Sequence, residues 1–320
     1  MKFVYIYPVV PTKRFVDGMA LKGATLFRLA DYDAMRLGHC LKSKIEYLYL
    51  DERVEKADPP SGTDLVIIPV NPPAIGRAFE ISSHLLKQGL KVLFFGSYPT
   101  LRPKLCARYA SAIVRGDVTS VIREVIEDMS RNRLKKWYYA NRNLSFDVDR
   151  VWEDKPGMFP YLSQLRTSFG CSCESGYADF CNEKVLYPEI VSLHEDLIVK
   201  SIAGIKKKII WLQDDDIFYD LNRARYFFKK IWQFKKEWIV QASSRIFLNR
   251  DLLLTLSDAG VRIIILKEDW LPCRLFLDSD RMVEVIKLKR RQIDEIHHHR
   301  ILAGAKIRFD TDLGKSFNFQ

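Results

Sequence analysis

Apolar positions along this chain follow two rhythms that trade places. Residues 3–10 and 64–70 are nearly unbroken runs of apolar and β-branched side chains, the pattern of strands buried on both faces. Residues 21–41 and 74–88 instead space their apolar side chains for a helix. Gly89 follows the second of these, where a glycine cap ends a helix. Residues 45–50, 91–95 and 111–114 read as further strands. The strand at 91–95 opens into a loop, Gly96-Ser97-Tyr98-Pro99-Thr100. The strand at 111–114 stops at Gly116-Asp117, before a helix over 118–129. Strands alternating with helices predict a parallel sheet with ligands at the carboxyl ends of its strands.

Residues 131–160 break the rhythm with many charges and scattered aromatics such as Trp137, Tyr138, Tyr139 and Trp152. They are expected to connect a domain at 1–130 to a second at 161–320. There the alternation resumes, with strands at 162–168, 208–213, 238–242, 262–266 and 306–309. Helices are expected at 188–203, 221–234, 251–259 and 282–302, the last two closed by Gly260 and Gly304. Repeated strand–helix steps with polar residues at the strand ends predict a whole or partial β/α barrel. The fold class is therefore α/β throughout.

Composition narrows the setting. At 320 residues and 48% hydrophobic, the chain is long and apolar enough for two cores. No apolar run reaches the length of a membrane span. The amino-terminal run is broken by Pro8 and Pro11 and lacks a small-residue cleavage site, so it is read as a strand, not a signal peptide. A cytoplasmic protein is expected. Six cysteines in a chain of this length do not make a disulfide framework. The net charge of +11 is distributed in short groups such as 206–208 and 287–291. Solvated helix faces account for these better than nucleic-acid binding, and an anionic cofactor or small-molecule substrate would use the same charge.

Three of the six cysteines, Cys171, Cys173 and Cys181, fall within eleven residues, just after Thr167-Ser168-Phe169-Gly170. Thiolates gathered in a glycine-bearing loop point to a metal or an iron–sulfur cluster. Zinc, with His194 as a fourth ligand, is the alternative. Asp214, Asp215 and Asp216 follow the strand at 208–213 and suit a cation, a cofactor or the cap of the next helix. Gln241 and Ser243 end the next strand, and Glu268, Asp269 and Trp270 follow the one after. Polar groups from successive strands thus converge on one mouth. Gly96, Ser97, Thr100 and Gly116 form a weaker candidate, a place where backbone approaches a flat ligand. The histidines at 297–299 read as a surface run.

Taken together, these pieces resemble the cobalamin-binding-domain radical S-adenosylmethionine (SAM) enzymes. Gly96 and Thr100 match the ends of that family's Gly-Gly-x-x-x-Thr loop, and ASAIVRGDV resembles its next strand and turn. LRTSFGC resembles the lead-in to its cluster loop, and IIWLQDDDIF its second barrel strand. Glu268 falls where a glutamate commonly contacts SAM. The resemblance implies a Rossmann-like cobalamin domain followed by a partial β/α barrel, shorter than in most relatives. It implies SAM, cobalamin and a [4Fe–4S] cluster held by Cys171, Cys173 and Cys181. Reductive cleavage of SAM would start radical chemistry, most commonly methyl transfer to an unactivated carbon, with a flavodoxin or ferredoxin as electron donor. Gly96, Ser97, Thr100 and Gly116 would line the corrin site, and Asp214, Asp215, Gln241, Ser243 and Glu268 the SAM site. Two departures stand out. The family's Cys-x3-Cys-x2-Cys spacing is replaced by Cys-x-Cys-x7-Cys, and there is no Asp-x-His-x-x-Gly cobalt-ligand motif. A non-catalytic homologue that binds a ligand or a partner, or a zinc protein, is the competing expectation.

Overall fold

The computed structural model describes residues 1–9, 29–41, 45–53, 55–72, 74–140, 162–172, 181–267 and 279–305. The chain forms two compact units. The first comprises Met1–Pro160 and Cys173–Val191, and the second Tyr161–Ser172 and Ser192–Gln320.

The first unit holds a six-stranded parallel sheet made of β1 (Lys2–Tyr7), β2 (Glu46–Asp51), β3 (Leu65–Pro69), β4 (Val92–Phe95), β5 (Ala112–Arg115) and β6 (Trp137–Tyr139). Its spatial order is β2-β1-β3-β4-β5-β6, so the direction of winding reverses between β1 and β3. The unbroken apolar runs have a direct cause. Phe3, Tyr5, Leu65, Ile67, Leu93 and Phe95 enter one core, with residues of helices Tyr32–Leu41 and Ile122–Ser130. Val4, Ile6, Val66, Ile68, Val92 and Phe94 enter the other, with helix Ile75–Lys87. Each fully buried aliphatic side chain contributes about 1.5–3 kcal/mol, so a strand with two buried faces cannot alternate with polar residues.

Three expectations need correction here. The Gly96–Thr100 stretch is not an open loop, because Ser97–Leu101 winds into a short helix directly after Gly96. Trp137, Tyr138 and Tyr139 are not in a connection but form β6, paired with β5. Tyr138 is drawn into the sheet because its ring is 1% exposed and its hydroxyl donates to Asp128 at 2.9 Å. The helix expected at 118–129 divides into a 3-10 turn, Val118–Ser120, and helix Ile122–Ser130, because the Asp117 carboxylate caps the turn at the Thr119 amide. Of the helix expected at 21–41, residues 21–28 lie outside the described residues, and Tyr32–Leu41 is helical.

The second unit is built from β7 (Leu162–Leu165), the two-residue strands β8 (Ser168–Phe169) and β9 (Val191–Ser192), β10 (Ile209–Leu212), β11 (Glu237–Ala242), β12 (Val261–Leu266) and β13 (Leu302–Ala305). Five of these make a parallel sheet in the order β7-β10-β11-β12-β13. Strands laid down in chain order, without reversal, follow the winding of a β/α barrel. Along these strands burial alternates. Ile210, Leu212, Trp238, Val240, Ile264 and Leu266 are buried, as are the inward residues of helices Leu221–Ile231 and Arg250–Asp258. Trp211, Gln213, Ile239, Gln241, Ile263 and Ile265, on the opposite face, are only partly covered.

The helix expected at 188–203 begins only at Glu195, after His194 in extended conformation. The last helix runs from Ser279 to His298 and ends earlier than expected. Arg300 takes the left-handed conformation (φ 58°), and Ile301 N–H reaches back to Ile296 O, which closes the helix and frees Leu302–Ala305 to become β13. Gly304 is therefore inside a strand, and the strand expected at 306–309 lies outside the described residues.

Candidate functional site

The carboxyl ends of β7, β10, β11 and β12 bring most of the second unit's expected site residues to one mouth, where each has a distinct role. Asp214, 2% exposed, turns inward. Its carboxylate accepts from Thr167 N–H at 3.0 and 3.1 Å, from the Thr167 hydroxyl at 2.8 Å and from the Ser168 hydroxyl at 2.5 Å. Asp214 thus fixes the turn that leads to Cys171. Arg223 adds to that turn by donating to Thr167 O at 3.2 Å.

Asp215 faces the other way. Its carboxylate pairs with the Lys267 ammonium at 2.5 Å, and its backbone carbonyl accepts from the Gln241 side chain at 2.7 Å. Lys267 also donates to Cys171 Sγ at 3.6 Å. Burial works against this ammonium. Asp215 beside it, with Cys171 and Asp216, outweighs burial and raises its pKa above the ordinary lysine value.

Asp216 and Ser243 complete the mouth. Asp216 is 4% exposed, and its Oδ1 accepts from Phe218 N–H at 3.0 Å and Ser243 N–H at 3.4 Å. Among the described residues its Oδ2 and the Ser243 hydroxyl are buried without a geometrically good hydrogen bond, although the Ser243 side chain is near enough to oppose the upward shift of the Asp216 carboxyl. Burial pushes the Asp216 carboxyl upward, while Ser243 and the Lys267 charge act the other way. Buried polar atoms are almost always paired with protein, water or ligand, so two such atoms on adjoining strand ends have hydrogen-bonding capacity that water or a ligand could use.

The first unit's candidates also come together, but their partners are internal. The Thr100 hydroxyl donates to Gly96 O at 2.7 Å and accepts from Gly116 N–H at 2.9 Å. Ser97 donates its amide to Asn71 Oδ1 at 2.7 Å, and its hydroxyl lies 2.7 Å from Asn182 Oδ1. A Cβ on Gly96 (φ 108°) would stand 2.6 Å from Asn71 Oδ1, and one on Gly116 (φ 94°) 2.7 Å from Ala140 Cβ. Both glycines are therefore required by protein packing, whatever a ligand would ask of them. Alongside, the Arg36 guanidinium grips Asp117 at 2.7 and 3.2 Å and also reaches Thr119, Asp33 and the Tyr187 hydroxyl.

Of the three expected cluster ligands, Cys171 is buried at the second unit's mouth, and Cys181 belongs to the first unit at the start of helix Asn182–Leu186. Cys173 and Glu268 lie outside the described residues. His194, the alternative zinc ligand, is exposed at the start of helix Glu195–Gly204. Among the described residues no three His, Cys, Asp or Glu side chains gather as a metal site. The described residues thus do not by themselves form a cluster cradle. Sequence reasoning missed Lys267, Arg36 and Asn71. For Lys267 the one available signal was its place directly after a strand, next to Glu268.

No protein-family model matches the chain. In sequence it is 23% identical over 341 aligned positions to the bacteriochlorophyllide d C-12(1)-methyltransferase of Chlorobaculum tepidum, covering 99% of this chain and 71% of that protein. In structure it is similar to TsrM from Kitasatospora setae, a radical SAM methyltransferase solved with its tryptophan substrate and the SAM analogue aza-SAM. That match has a TM-score of 0.67 at 13% identity and covers 95% of this chain and 67% of TsrM. The chain therefore has the α/β, parallel-sheet fold of a radical SAM methyltransferase.

Proposed function

We propose that the chain is a radical SAM methyltransferase acting on a small molecule, with SAM bound at the carboxyl ends of β7, β10, β11 and β12. The observation that carries this reading is the fold match to TsrM over 95% of the chain. The sequence likeness to a second methyltransferase supports it. The Asp215–Lys267 pair offers one carboxylate and one ammonium, complementary to the amino and carboxylate groups of SAM's methionine end. Asp216 Oδ2 and the Ser243 hydroxyl offer hydrogen bonds to the hydroxyl groups of the same ligand. Asp214 holds the Thr167–Ser168 turn and through it Cys171.

A [4Fe–4S] cluster on Cys171, Cys173 and Cys181, a flavodoxin- or ferredoxin-type donor, and cobalamin on the first unit's carboxyl edge complete the proposal. A bound cluster would supply the electron that cleaves SAM. The test begins with iron and sulfide content after anaerobic reconstitution and with electron paramagnetic resonance of the reduced protein. About four irons per chain and a spectrum that changes on adding SAM are expected. Absence of both iron and SAM binding would sink the proposal. Lys267→Met is expected to weaken SAM binding by about 10–100-fold in equilibrium dialysis. Unchanged affinity would remove the Asp215–Lys267 pair from the site.

A further inference from the structure

From Gly96, after β4, to Gly116, after β5, the chain has not one acidic residue, and it carries Arg102, Lys104, Arg108 and, within β5, Arg115. The same stretch puts large apolar side chains in water: Leu101 is 49% exposed, Leu105 50% and Tyr109 37%. Arg102, Lys104 and Arg108 are exposed between them. This is a built surface. Arg102 N–H bonds to Tyr98 O at 2.7 Å and Ala107 N–H to Pro103 O at 2.9 Å, closing successive turns. Underneath, Cys106 and Ala110 are buried in the core, and the Tyr109 ring stacks on Phe79 with centroids 4.3 Å apart. With those residues anchored inward, Leu101 and Leu105, four positions apart, are held outward.

We infer that residues 101–109 are a peripheral docking surface for an anionic lipid membrane. Apolar side chains interleaved with cations, with no acid among them, match the boundary of a bilayer, where acyl chains lie just beneath anionic headgroups. The protein's net charge of +11 favours the same approach. Leucine is under-represented among the anchoring residues of protein interfaces, which argues against a protein partner. Attachment would be one-sided, since among the described residues no helix is long and apolar enough to cross a membrane. The inference stands apart from the methyl-transfer reading, because none of these residues belongs to the second unit's mouth.

The test is co-sedimentation of the full chain with large vesicles of phosphatidylcholine alone or mixed with phosphatidylglycerol. Binding to the mixed vesicles only, weakened by added salt, is expected. Arg102→Gln, Lys104→Gln and Arg108→Gln combined should weaken it by roughly a hundredfold, at about fivefold per cation. Leu101→Ser with Leu105→Ser should weaken it at unchanged charge, with the circular dichroism melt preserved in both variants. Failure to bind the mixed vesicles, or binding indifferent to either variant, overturns the inference. Loss on removing the cations but not the leucines would mean unspecific charge attraction and also overturn it. Binding to a soluble acidic protein, sensitive to the same variants while vesicles are ignored, would give the face to a protein partner instead.

Discussion

At the strand ends of the first unit, Arg36 reaches four side chains and Thr100 ties Gly96 to Gly116, so polar groups there satisfy one another. At the strand ends of the second unit, Asp216 Oδ2 and the Ser243 hydroxyl are equally buried and, among the described residues, lack a geometrically good hydrogen bond. Both regions are rich in polar residues at the carboxyl edge of a parallel sheet, where sequence reasoning places ligands. The difference teaches that position alone does not identify a binding edge. Internal satisfaction gives a rigid platform, whereas buried groups left over keep hydrogen-bonding capacity that water or a ligand could use.

The comparison can be broken most forcefully at Arg36. Arg36→Ala leaves the nearly buried Asp117 carboxylate without its cation and is expected to cost about 3–5 kcal/mol in denaturant unfolding. A small cost would mean that the network is not the platform described. Next, Thr100→Val removes the acceptor for Gly116 N–H and should cost about 1–3 kcal/mol in the same assay.

Acid–base behaviour sharpens the contrast through two aspartates. Asp216 in the second unit is raised above 3.8 by burial, so the native state holds its proton more tightly than the unfolded chain. Its contribution is complete below 3.8 and is lost as pH rises through the native value. Asp51 in the first unit is also opposed by burial, but hydrogen bonds and charge from Arg53 win and lower it. Its contribution is present above 3.8 and is lost as pH falls through the native value. Replacing each with Asn should therefore change the stability-against-pH curve in opposite senses, and parallel changes would refute the contrast. The smallest effect is expected at Ser243→Ala, within about 0.5 kcal/mol without ligand, because among the described residues the hydroxyl has no geometrically good hydrogen bond to lose. A loss comparable to Thr100→Val would show that the hydroxyl is satisfied after all.

Strands β1, β3 and β4 were legible because burial on two faces leaves a continuous apolar run. Strand β6 was not, since three residues, Trp137-Tyr138-Tyr139, are too few to show a period among flanking charges. Strand β13 was hidden for another reason: Leu302-Ala303-Gly304-Ala305 has no β-branched residue, and Gly304 looks like a helix terminator. At the candidate site the acidic run was visible, but its division of labour was not. Backbone turns decide that Asp214 faces Thr167 while Asp215 faces Lys267, and three adjacent identical letters cannot encode it. A lysine paired across 52 residues looks the same in sequence as a solvated one. Gly96 and Gly116 were read as places where a flat ligand meets the backbone, whereas the structure shows them crowded by Asn71 and Ala140.

The Arg36–Tyr187 bond joins positions 151 residues apart, inside a unit whose chain leaves after residue 160 and returns at 173. During synthesis, the amino-terminal sheet can form well before that return, but its Arg36 and Ser97 contacts to Tyr187 and Asn182 cannot. The nascent first unit must therefore wait for roughly thirty further residues to leave the ribosome, at about 5–20 residues per second, before it closes. A premature stop within that interval of seconds would release a first unit without its Tyr187 and Asn182 contacts.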